Sequence, residues 1–318
     1  MPQSIPLKYP PPWAILAAAR LRRRLRDPWA IFAGGMLILI GALFLSAAAA
    51  VLWQSLPVWR HAGTDFILSA EWFYRRELFG AAAMIYGSAA VSAIALLVAV
   101  PLGVLAAICL SEYLPTRLRW SVKVLVESLT AVPSVVYGLL GVLVLRGWVG
   151  VAFEPFGAWT GDTLLTAGLL LALMVLPLVV TLSDDALQAA GVNEREAARG
   201  LGLTRAEAIL HAALPQAWPG IVAASLLALG RALGETIAVF LVVGRMDSQL
   251  PERIFSGTPL VEPGQTLTSK LGGPETHLAM GDALHWGAIM GLCAVLFAMT
   301  SLCVLAARAL QTRWRDGK

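Results

Sequence analysis

LLALGRALGETIAVFLVVG, residues 226–244, is long and apolar enough to cross a bilayer, yet it carries Arg231 and Glu235 four positions apart. A charge deep in a membrane span is costly and by default faces protein or water rather than lipid. If the whole stretch is one helix, the two side chains share a face, one turn apart. Two readings then stand side by side. The pair is a structural ion pair that pins the helix to its neighbours, at a desolvation cost that can exceed the Coulomb gain, or it lies on a polar pathway. Gly230 and Gly234 form a small-xxx-small step on the same helix, which lets a neighbouring backbone come close.

The rest of the chain has the same character. Hydrophobic residues make up 58% of the 318 and charged residues 14%, against about a quarter charged in soluble domains. Apolar runs long enough to span, about 20 residues each, occur at Trp29–Trp53, Ala81–Leu110, Val124–Leu145, Thr163–Leu182, Ala217–Gly244 and Leu284–Ala307. The fold class is therefore all-α, a polytopic membrane protein with six transmembrane helices. Barrel strands of about ten alternating residues do not produce such continuous runs. The basic cluster RLRRRLRD, residues 20–27, precedes a run longer than the core of a cleavable signal, which reads as a retained anchor. Cys109, Cys293 and Cys303 sit in apolar runs without metal-ligand spacing and read as buried small hydrophobes.

Lysine and arginine set the orientation. One side of the membrane collects 16 of them, in residues 8–26, 117–123, 195–205 and 308–318, and the other side 7. The positive-inside bias puts both termini in the cytoplasm. The chain then divides into a cytoplasmic basic segment 1–28, the first transmembrane helix 29–53, a periplasmic loop 54–80, a core 81–307 containing a cytoplasmic loop 183–216, and a cytoplasmic tail 308–318. The basic excess lies beside membrane segments, where topology accounts for it without nucleic acid. Glu127 and Lys123 near the start of the third span read as an interfacial pair.

The loop 183–216 has structure of its own. TRAE, residues 204–207, is a capping box in which Thr204 accepts the Glu207 N–H and the Glu207 carboxylate returns to the Thr204 N–H. The helix it starts is expected to run from Arg205 to about Ala213 and end near Pro215. NEREAARG, residues 193–200, forms a second short helix with Glu196 and Arg199 on one face, and Gly200 and Gly202 permit a sharp turn between the two. The acidic residues of this projection deny it the basic footprint of a DNA-binding surface.

EAARGLGLTRAEAILHAALP, residues 196–215, resembles the signature of ABC-transporter inner-membrane permeases: Glu196, Ala197, Ala198, Gly202, Leu214 and Pro215 match it, with Ala212 where isoleucine is common. The resemblance implies the ABC importer permease fold and a loop that docks on an ATP-binding subunit. PGIVAASLLALGRALGETIAVFLVVG (219–244), AVPSVVYGLLG (131–141) and PGQTLTSKL (263–271) are similar to permease subunits for inorganic phosphate. That resemblance implies a bacterial inner-membrane location, a second, homologous phosphate permease subunit, two cytoplasmic ATP-binding subunits and a periplasmic or extracellular phosphate-binding protein. It also admits a scaffold or signalling role.

The chemistry of the opening pair fits this expectation. Arginine offers a fork of donors matched to phosphate oxygens, and Glu235 opposes over-tight binding so that the anion can leave. A carboxylate also accepts the hydrogen of monohydrogen phosphate, which sulfate lacks at neutral pH. Thr266, Thr268, Ser269 and Lys270 read either as an external entry for phosphate or as an ordinary polar loop. Importing a negative charge into a negative interior costs about 2.3 kcal/mol per 100 mV, so an energy source is needed. The chain has no GxxxxGK[ST] sequence, so no cofactor is expected here, and ATP and Mg belong to partner ATPase subunits. Two alternatives stay open: a permease for phosphonate, molybdate or sulfate, and an ion-coupled secondary carrier.

Overall fold

The computed structural model describes residues 28–158, 160–189, 192–248 and 260–316. The chain forms two units, residues 1–53 and residues 54–318. In the first, the described residues are the opening turns of the helix Pro28–Ala62, and the expected basic segment lies, up to residue 27, outside the described residues. The helix ends in the second unit, where its residues Val58 and Ser55 are buried.

Among the described residues, six helices are long and apolar enough to cross a membrane: Pro28–Ala62, Ala82–Tyr113, Ser134–Phe156, Leu164–Ala189, Arg205–Gly234 and Ala283–Ala306. A helix satisfies its backbone groups internally, which hydrocarbon demands. The fourth span is the centre of the second unit, with 67% of its apolar window buried against 22–28% for the second, third, fifth and sixth. Val91, Ala95 and Ala99 of the second span, Leu170, Leu171, Val175 and Val179 of the fourth, and Ala228 and Ala232 of the fifth form its core. Small residues make this contact possible. A methyl group at Gly103 would lie 2.7 Å from Val179 Cγ1, and one at Gly168 would lie 2.6 Å from Ile94 Cβ, so side chains there would force the second and fourth spans apart.

Three expected boundaries shift. The apolar run Val124–Leu145 is split: an amphipathic helix, Thr116–Thr130, is followed by Pro133 in extended geometry and a new helix from Ser134. Pro133 lacks an amide hydrogen and pushes the preceding residue out of the helical region. The expected loop 54–80 is largely structured. The first helix runs on to Ala62, Asp65–Leu68 makes a helical turn, and Trp72–Phe73 pairs antiparallel with Leu78–Phe79 in a small hairpin. Val58, Phe66, Trp72, Phe79, Met84, Ile289 and Leu292 bury this hairpin end against the sixth span. The expected tail 308–318 continues the sixth helix as far as Asp316. Cys109 is exposed, not buried as expected, because it opens the π-turn Cys109–Tyr113 on an outer face of the second span; Cys293 and Cys303 are partly buried.

Candidate functional site

The fifth span does not run through to Gly244. Its helix stops at Gly234, Glu235 is extended (φ −73°, ψ 121°), and a short helix resumes at Ile237–Val242. Arg231 and Glu235 therefore do not share a helical face, which corrects the expected one-turn pair. The physical reason is local. Glu235 Oε1 accepts the Ala238 N–H at 3.3 Å, and Thr236 Oγ1 donates to the Gly234 carbonyl at 3.3 Å, so side chains take over the backbone groups that a continuous helix would pair. Arg231 occupies the last helical turn, where a cation meets the negative end of the helix dipole. Among the described residues, Arg231 has no carboxylate at ion-pair distance.

The two faces of this helix differ. Ile221, Ala224, Ala228 and Ala232 are buried. Leu227, Arg231 and Gly234 are exposed, and Gly230 is half-buried between them. A methyl group at Gly230 or Gly234 would meet nothing within 4 Å. Among the described residues the small-xxx-small step thus packs against nothing, and the stripe that carries Arg231 is exposed.

The threonines expected at an external entry are inside the protein. Thr266 is 2% exposed, Thr268 4% and Ser269 0%. Thr266 caps the helix Leu267–Leu271 in a capping box with Ser269, and the Leu267 N–H donates to Ser88 Oγ at 2.9 Å. Their hydroxyls bond within the protein, which corrects the reading as an ordinary polar loop, and Ser269 lines the cleft beside Lys270. Lys270, next in sequence, is the hub that the sequence did not reveal. It is 3% exposed, pairs with Asp247 at 2.7 Å and with Glu275, and lies 4.9 Å from the Trp72 ring. Glu275 also accepts the Trp72 indole N–H at 2.5 Å and faces His285 Nε2 at 3.0 Å. Burial pushes the Glu275 carboxyl up, but the hydrogen bonds from Lys270 and Trp72 and the Lys270 charge outweigh it and hold the pKa below the usual carboxylate value. Arg245, Asp247, Lys270 and Glu275 line a cleft of about 280 Å³ beside this hub.

At the opposite end, residues 192–213 form the expected helix, turn, helix. Val192–Gly200 ends in a Schellman turn: Leu203 N–H donates to Ala198 O at 3.2 Å and Gly202 N–H to Arg199 O at 3.0 Å. Gly202 has φ +86°, the left-handed region that glycine enters without penalty. Thr204 then caps the next helix, with both hydrogen bonds of the expected box present. Glu196, Ala197 and Leu201 are exposed at the tip, while Leu214 packs at the base with Ala107, Leu187 and Ile221. The expected helix end near Pro215 is absent. A π-turn, Ile209–Ala213, carries the helix into Leu214–Gly234, and Pro215 falls within the first turn after it, where a missing N–H is tolerated.

Buried charge fixes this end. Asp184, 0% exposed, accepts from Arg119 at 2.9 Å, Lys123 at 3.2 Å and Gln188 at 2.7 Å. Lys123 also reaches Asp185 at 2.5 Å, so its partners are on the fourth span and not at Glu127 as expected.

Six spans, a structured projection continuous with one of them, and an uncovered arginine beside a helix break define a membrane permease subunit that is built to meet other chains. The chain belongs to the family of binding-protein-dependent transport system inner membrane components, whose profile matches residues 99–315. It is 34% identical over 294 residues to the phosphate transport system permease protein PstC of Mesorhizobium japonicum, covering 87% of this chain and 86% of that protein. The Haemophilus influenzae protein of the same name is 31% identical, over 91% of this chain and 92% of its own. A bacterial ABC transporter involved in the import of the acidic polysaccharide alginate shares the fold, at 16% identity and TM-score 0.59, over 92% of this chain and 99% of that one. The chain is thus a multi-pass inner-membrane transporter subunit and not an enzyme. The family works with a separate ATPase and a substrate-binding subunit.

Proposed function

We propose that this chain is the membrane-spanning subunit of an ATP-driven importer of inorganic phosphate, forming the pathway with a second, homologous permease. Similarity to phosphate permeases along about nine-tenths of both chains supports the substrate. The observation that carries the pathway is the break at Glu235–Thr236. Non-helical backbone at membrane depth is tolerated only where it is buried in protein or lines a watery path, and here it adjoins an exposed Arg231 that has no carboxylate at ion-pair distance among the described residues. The guanidinium receives phosphate oxygens. Glu235, on the far side of the break, opposes over-tight binding. The bare Gly230–Gly234 stripe is where the second permease approaches.

In this reading both termini lie in the cytoplasm, which the 16 to 7 division of basic residues supports. Two cytoplasmic ATPase subunits bind ATP and Mg, and one of them docks on Glu196, Ala197, Ala198 and Gly202, with Leu214 and Pro215 forming the base of the docking element. A phosphate-binding protein delivers the anion from outside. The test is co-purification with endogenous partners and reconstitution, followed by ATP-dependent uptake of phosphate, sulfate and phosphonate. Phosphate uptake alone is the expected result. Preference for another oxyanion reassigns the substrate, and uptake without any ATP-binding partner overturns the importer reading.

A further inference from the structure

The projection 192–213 is fastened to more than the fifth span. The second span ends in the π-turn Cys109–Tyr113, after which Leu114 is extended. Two consecutive residues of that turn hold the two arms of the projection. Glu112, 5% exposed, stands 3.1 Å from Arg195 of the first arm, and Arg195 also donates to the Leu187 carbonyl at the end of the fourth span. Tyr113 presents its ring to Arg205, which opens the second arm, with the guanidinium 4.8 Å from the centroid.

The first of these contacts is a poor stabiliser. Glu112 Oε1 is at ion-pair distance from Arg195 Nη2, yet among the described residues no aligned hydrogen bond reaches it, and the buried Arg195 Nε has no partner there. Buried ion pairs repay desolvation only when their hydrogen bonds are complete. An apolar contact would hold the arm as well, so this one sets register. π-Turns are also where helices change hydrogen-bond register and often mark functional positions. One lies in the span that holds the projection, at Cys109–Tyr113, and one closes the projection itself, at Ile209–Ala213.

We propose that Glu112 and Tyr113 are positioning residues that clamp both arms of the coupling element and carry its movement into the second span, in parallel with the continuous fifth-span helix. The inference rests on residues 192–213 being the ATPase-docking element. Because the second and fourth spans touch through Gly103 and Gly168, a push on the second span is passed into the core.

The test is a reconstituted complex with its ATPase and binding-protein partners, in which phosphate uptake and ATP hydrolysis are measured together. Glu112→Gln and Arg195→Gln are each expected to lower phosphate moved per ATP by roughly tenfold, the scale of a typical coupling energy, while hydrolysis persists. The double variant should be no worse than the worse single one, since both remove the same contact. On the other arm, Tyr113→Leu lowers the ratio and Tyr113→Phe, which keeps the ring, preserves it. An unchanged ratio in Glu112→Gln and Tyr113→Leu, or additive losses in the double variant, overturns the clamp. Should Glu112→Gln fail to assemble, the two Tyr113 variants decide, because that side chain is half exposed and lies outside the core. A wild-type complex that hydrolyses ATP without moving phosphate overturns the functional reading itself, and the clamp with it.

Discussion

Arg231 and Glu235 stand on opposite sides of a helix end: the first closes the helix Leu214–Gly234, and the second, in extended geometry, caps the turn that follows by accepting the Ala238 N–H. The cation is thereby left free of the carboxylate that sequence spacing seemed to assign to it. An exposed arginine with no carboxylate partner among the described residues is available to an incoming anion, and its removal should affect that anion more than the fold.

Replacing Arg231 by Gln is accordingly expected to reduce phosphate uptake by roughly tenfold to a hundredfold, the range for losing a charge-assisted hydrogen bond. Co-purification of the partner subunits should be unchanged. Uptake assayed on the assembled complex separates this from a packing role, in which assembly itself would be lost.

Gly202→Val tests the docking turn. At φ +86° a β-branched side chain is strained, and the left-handed conformation costs on the order of 1–2 kcal/mol. The Schellman turn should open, and ATPase co-purification or the phosphate-to-ATP ratio should drop. Gly230→Ala, whose methyl meets no atom of another element among the described residues, should leave the isolated subunit at least as stable as before, since alanine favours a helix over glycine, and weaken its pairing with the second permease.

Lys270→Met removes the centre of the hairpin-end hub and leaves Glu275, among the described residues, with Trp72 and His285. Breaking one side of a buried pair costs about 3–5 kcal/mol, so thermal unfolding in detergent should begin well below that of the wild type. A melting temperature within a degree or two of wild type would show the hub to be dispensable.

Glu275 makes the same hub sensitive to acid. Its folded pKa lies below the ordinary value of 4.5, so the unfolded chain takes up the proton first as pH falls. The stability from this carboxylate is complete above that ordinary value and is lost as pH drops through the lower, folded one. Melting temperature measured from neutral to acid pH should fall more steeply in the wild type than in Glu275→Gln, which starts lower and varies less.

Local features were legible in the sequence and distant ones were not. Thr204, Glu207 and Gly202 form the expected cap and turn because capping depends on neighbours within three or four residues. Pro133 sets the start of the third span at Ser134, but the apolar run Val124–Leu145 around it masked the break. The stop at Gly234 was hidden for a related reason: hydropathy continues across it, and only the competition of Glu235 and Thr236 for backbone groups ends the helix. The Lys270 hub was out of reach, since Trp72 and Glu275 are 203 residues apart in sequence. Thr266 and Ser269 misled because a polar, turn-rich segment folded inward and used its hydroxyls on itself.

The unbroken run from Arg205 to Gly234, 30 residues, is roughly 45 Å of stiff rod at 1.5 Å per residue. Such a rod is a crank: a swing of about 10° at the docking end sweeps the far end through roughly 8 Å over that length. Arg231, one turn from the tip, travels with it. If the ATPase docks on residues 192–213 as proposed, its closure and the displacement of Arg231 belong to one mechanical stroke along this helix, alongside the path through Glu112 and Tyr113. The Ile209–Ala213 π-turn is where this shaft can yield, so its stiffness sets how much of a movement at the projection reaches Arg231.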